Sequence, residues 1–272
     1  MIGGIYFTPG DSGLELCLYD AAALAPAIMV EEVNWGGVDG SPILVDTPDR
    51  FAQVDEGVIY SPRKYTLTYH LSGAYQEEIE RLWGWWHLPE RGVGTLRRIT
   101  ADGVQRVLLA RPTDTKWGKR SGGRQVTQVY TAADPWWRDA DETTASGSFN
   151  DDTPVAISFA NAGQIPTRPR FVITGIVHTP KLVNAAGETI ELNKATANAD
   201  DVLVISCRRG DQKATYYEYG AGAGVSWYAW RSNATKFWDL PVGASNVTIS
   251  GAASETSTAT CQVRAYLRYG SR

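Results

Sequence analysis

Two groups of carboxylates stand where this chain could do chemistry: Asp139, Asp141 and Glu142, and the adjacent Asp200 and Asp201. Paired carboxylates can divide acid and base work on a glycosidic bond or hold a hard cation. Each group falls in a polar stretch that reads as a loop, where acid pairs are usually solvated turns. The three histidines add little. His70 occupies a polar position of an alternating segment and reads as solvated. His87 precedes Leu88-Pro89-Glu90, and the proline stops two ligands from sharing one helix face as an HExxH zinc site requires. His178 has no acidic neighbour in sequence. No GxSxG elbow, phosphate-binding GxxxxGK[ST] loop or GxGxxG turn occurs. Gly220-Ala221-Gly222-Ala223-Gly224 has the wrong spacing for such a turn and reads as a hairpin loop. A catalytic site needs several converging roles. The sequence therefore offers no catalytic, cofactor or metal set, and the expectation is a protein that is not an enzyme.

Charge and cysteine usage narrow the partners. The net charge of −4 gives no basic field of the kind that binds nucleic acid without regard to shape, so no sequence-specific nucleic-acid partner is expected. The one basic run, Lys116-Trp117-Gly118-Lys119-Arg120 with Arg124 beyond it, reads as a solvated hairpin tip, with a phosphate contact as the alternative. Cys17, Cys207 and Cys261 form no CxxC pair and read as three buried thiols in a reducing compartment. The first residues carry no basic and apolar leader pattern. The apolar stretch 21–30 is interrupted by Pro26 and falls short of the ~20 residues of a membrane span, so no membrane insertion is expected.

The elements that must position these residues are nearly all strands. At 272 residues two domains are expected. In the first half, residues 65–71, 104–110 and 126–131 alternate apolar and polar side chains, the period of a half-buried strand. One helix stands out, capped by Ser72, with Tyr75, Ile79, Leu82, Trp83 and Trp86 on one face and Pro89, Gly92 and Gly94 ending it. Trp85 falls off that face and is either covered by another segment or open to another subunit. Beyond residue 150, short strand segments recur between turn signals: 155–159, 170–174, 181–184, 189–192, 202–207, 215–219, 226–231, 246–250 and 259–269. That spacing predicts a two-sheet sandwich or jelly roll. Residues 139–150, rich in Thr, Ser, Ala and Gly, read as a linker between a domain over 1–138 and a second over 151–272.

Just before that linker stand Trp136 and Trp137. Neighbouring side chains of an extended segment point to opposite sides. One indole is expected to plug the core of the first domain, the other to face the second domain or a neighbouring chain. The chain has 10 Trp and 13 Tyr against 6 Phe. Such amphipathic rings suit protein interfaces and carbohydrate sites, but equally the strands of any β-rich protein. Trp227, Tyr228 and Trp230 are the candidates for a sugar contact, against a simple core-facing role.

An ordered series of short motifs then resembles a known family. Phe159-Ala160-Asn161-Ala162-Gly163 leads through Pro166 and Arg168-Pro169 to Arg170-Phe171-Val172-Ile173-Thr174-Gly175. Gly187-Glu188-Thr189-Ile190-Glu191-Leu192, Asp200-Asp201-Val202-Leu203-Val204-Ile205 and Leu240-Pro241-Val242-Gly243 follow, with Asn246-Val247-Thr248-Ile249 behind. In this order they resemble the C-terminal galectin-like domain of siphophage distal tail (Dit) proteins. Gly243 and Asn246 stand one residue further apart than the family spacing, as a one-residue loop insertion would give. Ala132-Ala133-Asp134-Pro135-Trp136 resembles the strand that leaves the family's ring-forming barrel.

The resemblance implies a mainly β protein: an N-terminal β-barrel-like ring domain with one helix, then a C-terminal galectin-like β-sandwich. It further implies a homo-hexameric ring in the virion tail, assembled in the host cytoplasm. That ring would join the tail tube protein to the tape-measure protein and to the tail hub or receptor-binding proteins. Trp85, Trp136 and Trp137 are then candidates for the subunit or domain interface. Two other readings stay open: a carbohydrate-binding sandwich or adhesin that meets a host-surface glycan through Trp227 and Trp230, and a glycan-active enzyme using the loop carboxylates.

Overall fold

The computed structural model describes residues 2–10, 15–20, 28–34, 40–46, 53–60, 62–71, 92–100, 102–120, 123–150, 153–208, 211–220, 222–252 and 257–270. The helix expected from Ser72 and the residue Trp85 lie outside the described residues. The chain divides into two compact units, Met1–Arg138 with Ser271–Arg272, and Asp139–Gly270.

The first unit contains β1 (Ile2–Thr8), β2 (Leu16–Asp20), β3 (Ile28–Asn34), β4 (Gly40–Asp46), β5 (Gln53–Tyr60), β6 (Arg63–Leu71), β7 (Gly94–Thr100), β8 (Gln105–Arg120) and β9 (Gly123–Ala132), and β10 (Trp137–Asp139) runs out of it. Seven strands hydrogen-bond in the order β2-β1-β7-β8-β9-β6-β3, and among the described residues β4 pairs only with β5. The strand content expected of a mainly β unit is present. The expected barrel is not closed among the described residues, because the end strands β2 and β3 are not paired with each other. Alternation decides which side chains go inside. On β6, Tyr65, Leu67 and Tyr69 are buried, and on β9 so are Val126, Gln128, Tyr130 and Ala132. β8 tolerates Pro112 because the register shifts between Pro112 and Asp114, a bulge that needs no ladder donor there. Buried Gln128 fastens the bulge: its Nε2 donates to the Asp114 carbonyl (2.9 Å), and Thr115 Oγ1 donates to its Oε1 (2.6 Å).

The second unit is a two-sheet sandwich. It contains β11 (Thr143–Asn150), β12 (Val155–Asn161), β13 (Arg170–Ile176), β14 (Lys181–Asn184), β15 (Thr189–Glu191), β16 (Val202–Ser206), β17 (Lys213–Tyr217), β18 (Val225–Ser226), β19 (Gly243–Ser250), β20 (Thr258–Ala265) and β21 (Arg268–Tyr269). One sheet runs β11-β20-β13-β16-β17-β18 and the other β12-β19-β14-β15. Phe149, Phe171, Ile173, Leu203, Ile205 and Val263 from the first meet Ile157, Phe159, Leu182, Ile190, Val247 and Ile249 from the second in one core.

Three local expectations change. The polar segment 139–150, expected as a linker, contains β11, antiparallel to β20 along its whole length. Its outward residues Thr144, Ser146, Ser148 and Asn150 are exposed, while Ala145, Gly147 and Phe149 pair with core positions Val263, Cys261 and Ala259. The inward face is small for a reason: a Cβ on Gly147 would sit 2.9 Å from Ile157 Cγ1. A strand with so little apolar bulk carries no visible alternation. Residues 226–231, expected as a strand, are instead the last residue of β18 followed by a single 3-10 turn, Tyr228–Trp230. Finally, Cys207 and Cys261 are buried but Cys17 is exposed. It lies on the end strand β2, where Leu18 takes the inward position beside it.

Candidate functional site

The residues singled out by sequence fall into separate clusters, each built by its own element. In the first unit, the turn after β9 brings Asp134-Pro135-Trp136 back over β6. The Pro135 carbonyl accepts a hydrogen bond from Tyr65 Oη (2.9 Å) and from Arg63 Nη1 (3.5 Å). Trp137 is fully buried, edge-on to Tyr65 with ring centroids 5.7 Å apart, and the Arg98 guanidinium lies 4.7 Å from its ring. Burial pushes the Tyr65 hydroxyl up to about 12, so it stays a donor at any ordinary pH. Trp137 is therefore a core plug with no surface to offer another subunit, while its neighbour Trp136 is only half-buried. The two arginines that frame the plug, Arg63 and Arg98, were not singled out in the sequence. Their only signal is an inward position on an alternating strand.

The second unit separates the acidic residues into structural roles. Glu142 accepts hydrogen bonds from Arg170 Nη2 (2.6 Å) and from Arg208 Nη2, and the Arg208 guanidinium lies 5.0 Å from the Tyr266 ring. The partners are 28 and 66 residues away, so no spacing rule reveals them. Asp201 is wholly buried. Its carboxylate accepts from the backbone N–H groups of Ala197, Asn198 and Tyr219 and from Tyr216 Oη (2.9 Å). Burial alone would raise its pKa, but these donors outweigh it and hold the carboxyl at about 2. One of those N–H groups belongs to Tyr219, whose backbone is held in the left-handed region at φ 50°. The carboxylate thus pins a strained turn, with its lone pairs taken by the fold rather than facing a substrate. Asp200 beside it is exposed.

The sugar candidates also divide. Trp227 is buried, stacked on Tyr216 with centroids 4.6 Å apart, and part of the sandwich core. Trp230 is 49% exposed. Lys194 Nζ lies 5.0 Å from both rings, a contact that sequence reading missed because Lys194 comes from the loop after β15. Tyr228 stacks on Phe237 (6.0 Å) and carries the Arg231 guanidinium at 4.1 Å. Beside Trp230, residues Ala229, Arg231, Ser232, Asn233 and Thr235 line an open cavity of about 380 Å³. Burial pushes the thiols of Cys207 and Cys261 up to about 12, which makes them unreactive. Among the described residues, no group of three or more His, Cys, Asp or Glu side chains is placed to hold a metal ion, and no helix is long and apolar enough to cross a membrane.

No protein-family model matches the chain, and no curated protein matches it by sequence. Solved structures do. SPP1 Dit (gp 19.1), described as a paradigm of the hub adsorption apparatus in phages infecting Gram-positive bacteria, superposes with a TM-score of 0.58 at 12% identity. The match covers 88% of this chain and 93% of that one. Chains of the phage P2 baseplate in its activated conformation, one structure with calcium and one with strontium, each give a TM-score of 0.50 at 10% identity over 96% of this chain and 97% of theirs. The fold is Dit-like across both units.

Proposed function

We propose that the chain is a structural subunit of a phage tail tip, in which the first unit builds a ring at the distal end of the tail tube and the second projects as a galectin-like sandwich. The observation that carries the reading is the extent of the fold match: both units, in one order, cover nearly all of SPP1 Dit. The site geometry agrees, since one carboxylate of each acidic group is spent on the fold: Glu142 on Arg170 and Arg208, and Asp201 on the turn after β17. The ring is a homo-hexamer, and its partners are the tail tube protein, the tape-measure protein and the hub or receptor-binding proteins, with the virion tail as its location after assembly in the host cytoplasm. A cyclic ring uses head-to-tail contacts between unlike patches, and half-buried Trp136 is a residue suited to one. Trp85 is a second.

Absolute mass by light scattering tests this. A species near six times 29.7 kDa is expected. A monomer in isolation, combined with absence of the labelled chain from tail tips of assembled particles, overturns the reading.

A second reading has its own observation. Trp230, exposed, is flanked in sequence by two residues, Ala229 and Arg231, that line a cavity with Ser232, Asn233 and Thr235, and an accessible indole near polar groups is the combination a sugar needs. Trp227, buried in the core, takes no part. A glycan array should then show binding that disappears in Trp230→Ala; an array without signal removes this reading.

A further inference from the structure

A second cavity, of about 320 Å³, opens on the outward face of the six-stranded sheet. The register explains its lining. Leu203 and Ile205 of β16 point into the core, so Val202, Val204 and Ser206 point out. Arg170 of β13 stands opposite Ser206 on one side of β16; Lys213 and Tyr217 of β17 stand opposite Ser206 and Val202 on the other. The result is a trough with an aliphatic floor, Val202 and Val204, a tyrosine at one end and three cations, Arg170, Arg208 and Lys213, at the other. Among the described residues of the lining, Asp211 is the only carboxylate.

The three cations are not equally occupied. Lys213 pairs with Asp211 at 2.8 Å, and Ser206 Oγ donates to the same carboxylate (3.4 Å). That pair is neutral. Arg170 and Arg208 share Glu142, whose side chain is 13% exposed against 32% and 33% for theirs. Glu142 is not part of the lining, so it grips both guanidiniums from beneath. Two guanidiniums on one carboxylate leave one positive charge in the wall. Arg264, opposite Arg170 on β20, adds to the field, since among the described residues its side chain reaches only the neutral Gln262. Of five N–H donors on each guanidinium, Arg170 and Arg208 each use one, at Nη2, among the described residues. Arg170 Nε is buried with no partner there, and an open buried donor calls for an explanation. Arg208 rests its face on Tyr266, which leaves the N–H groups in its own plane unblocked.

We infer that this trough binds a small monoanion, a carboxylate or a phosphodiester carried on a flat apolar body. An oxyanion set against Arg170 and Arg208 takes the open donors of two fixed guanidiniums, the charge-assisted contact these groups make best. One negative charge balances the one that Glu142 leaves. The body then lies over Val204 and Val202 toward Tyr217, whose ring supplies an apolar surface to stack on. The volume is at the small end of ordinary ligand sites. Glu142 holds the arginines before any ligand arrives, so little side-chain freedom is lost on binding. The site is separate from the cavity beside Trp230 and does not depend on the ring.

Equilibrium dialysis of the intact chain against radiolabelled benzoate tests it. Benzoate should bind saturably, one per chain. Unlabelled methyl phenyl phosphate should displace it. Benzamide, the neutral counterpart of benzoate, should do so at least about tenfold less well, as the loss of a charge-assisted hydrogen bond implies. Arg170→Gln and Arg208→Gln should each weaken benzoate binding about tenfold or more. Each also removes a partner of Glu142, so Val204→Phe is the independent variant: it leaves every ion pair in place, fills the floor and should abolish binding. Trp230→Ala should leave binding unchanged. Uptake that rises without saturating, displacement by benzamide as good as by methyl phenyl phosphate, or binding that survives Val204→Phe overturns the site. Binding lost in Trp230→Ala alone places the anion at the other cavity and overturns it too.

Discussion

The two tryptophan pairs of this chain are laid out by different backbones, and the backbone decides what each indole does. Trp136 and Trp137 are neighbours leading into β10, so extended geometry sends them to opposite sides. One is sealed against Tyr65 and Arg98; the other keeps part of its surface. Trp227 and Trp230 are three residues apart across a 3-10 turn, where positions i and i+3 eclipse. Both rings therefore face one side, and Lys194 reaches both at 5.0 Å. The 3-10 turn is tied at both ends: Trp227 N–H donates to Ala214 O (2.8 Å), and the Trp230 carbonyl accepts from Asn193 N–H (2.8 Å). In the first pair sequence adjacency separates function; in the second, separation in sequence joins two rings around one cation.

The sharpest way to break this comparison is to truncate the sealed member of the first pair. Trp137→Ala should lower the unfolding free energy by about 3–5 kcal/mol, the usual cost of emptying a fully buried indole site. Urea unfolding measures it. Trp227→Ala should fall in the same range, because it too fills a core and loses its stack on Tyr216. Trp136→Ala should cost about 1 kcal/mol or less, as a partly exposed position does. If Trp136→Ala costs as much as Trp137→Ala, the split by extended geometry is wrong.

The second pair leans on Asp201 through Tyr216, whose hydroxyl donates to the carboxylate while its ring stacks on Trp227. Asp201→Asn turns one acceptor into a donor facing backbone N–H groups, at a cost of about 2–3 kcal/mol. The pH dependence has a definite sign. The folded carboxyl titrates at about 2, below the ordinary value of 3.8. Its stabilisation is therefore complete above the ordinary value and is lost as pH falls through the folded one. The gap in stability between wild type and Asp201→Asn should hold from neutral pH to about 4 and shrink toward pH 2. A gap that stays constant to pH 2 would show that the charge is not what pins Tyr219.

The same contrast explains how much of the molecule was legible beforehand. Where one face of a strand is apolar and bulky, as in β6, β9, β13 and β16, alternation reveals the strand with its ends within three residues. β11 escaped because only one of its inward residues, Phe149, is bulky, and Ala145 and Gly147 are too small to complete a pattern, although β20 pairs with all of it. The turn at Tyr228–Trp230 escaped because aromatic residues favour strands, and only the tertiary ties to Ala214 and Asn193 select a tighter backbone. Of the candidate residues, the split between Trp136 and Trp137 followed from local geometry. Lys194 over Trp227 and Trp230, and the two arginines on Glu142, depend on residues brought together only by the folded sheets. No local rule carries that information.

The smallest effect is the most diagnostic for the second pair. An ammonium over an aromatic face contributes about 0.5–1 kcal/mol when partly exposed. Lys194→Met keeps the alkyl stem and removes the charge, so stability should fall by about that much, measured as a shift in urea midpoint at constant slope. Trp230→Ala should lose a similar amount, and the two changes together should cost less than their sum, since each removes the same contact. Trp227→Ala should also absorb most of the Lys194 effect, because one cation serves both rings. If Lys194→Met and Trp230→Ala prove additive, the cation is not shared with Trp230. The exposed ring would then lie open to the glycan-binding role considered for it.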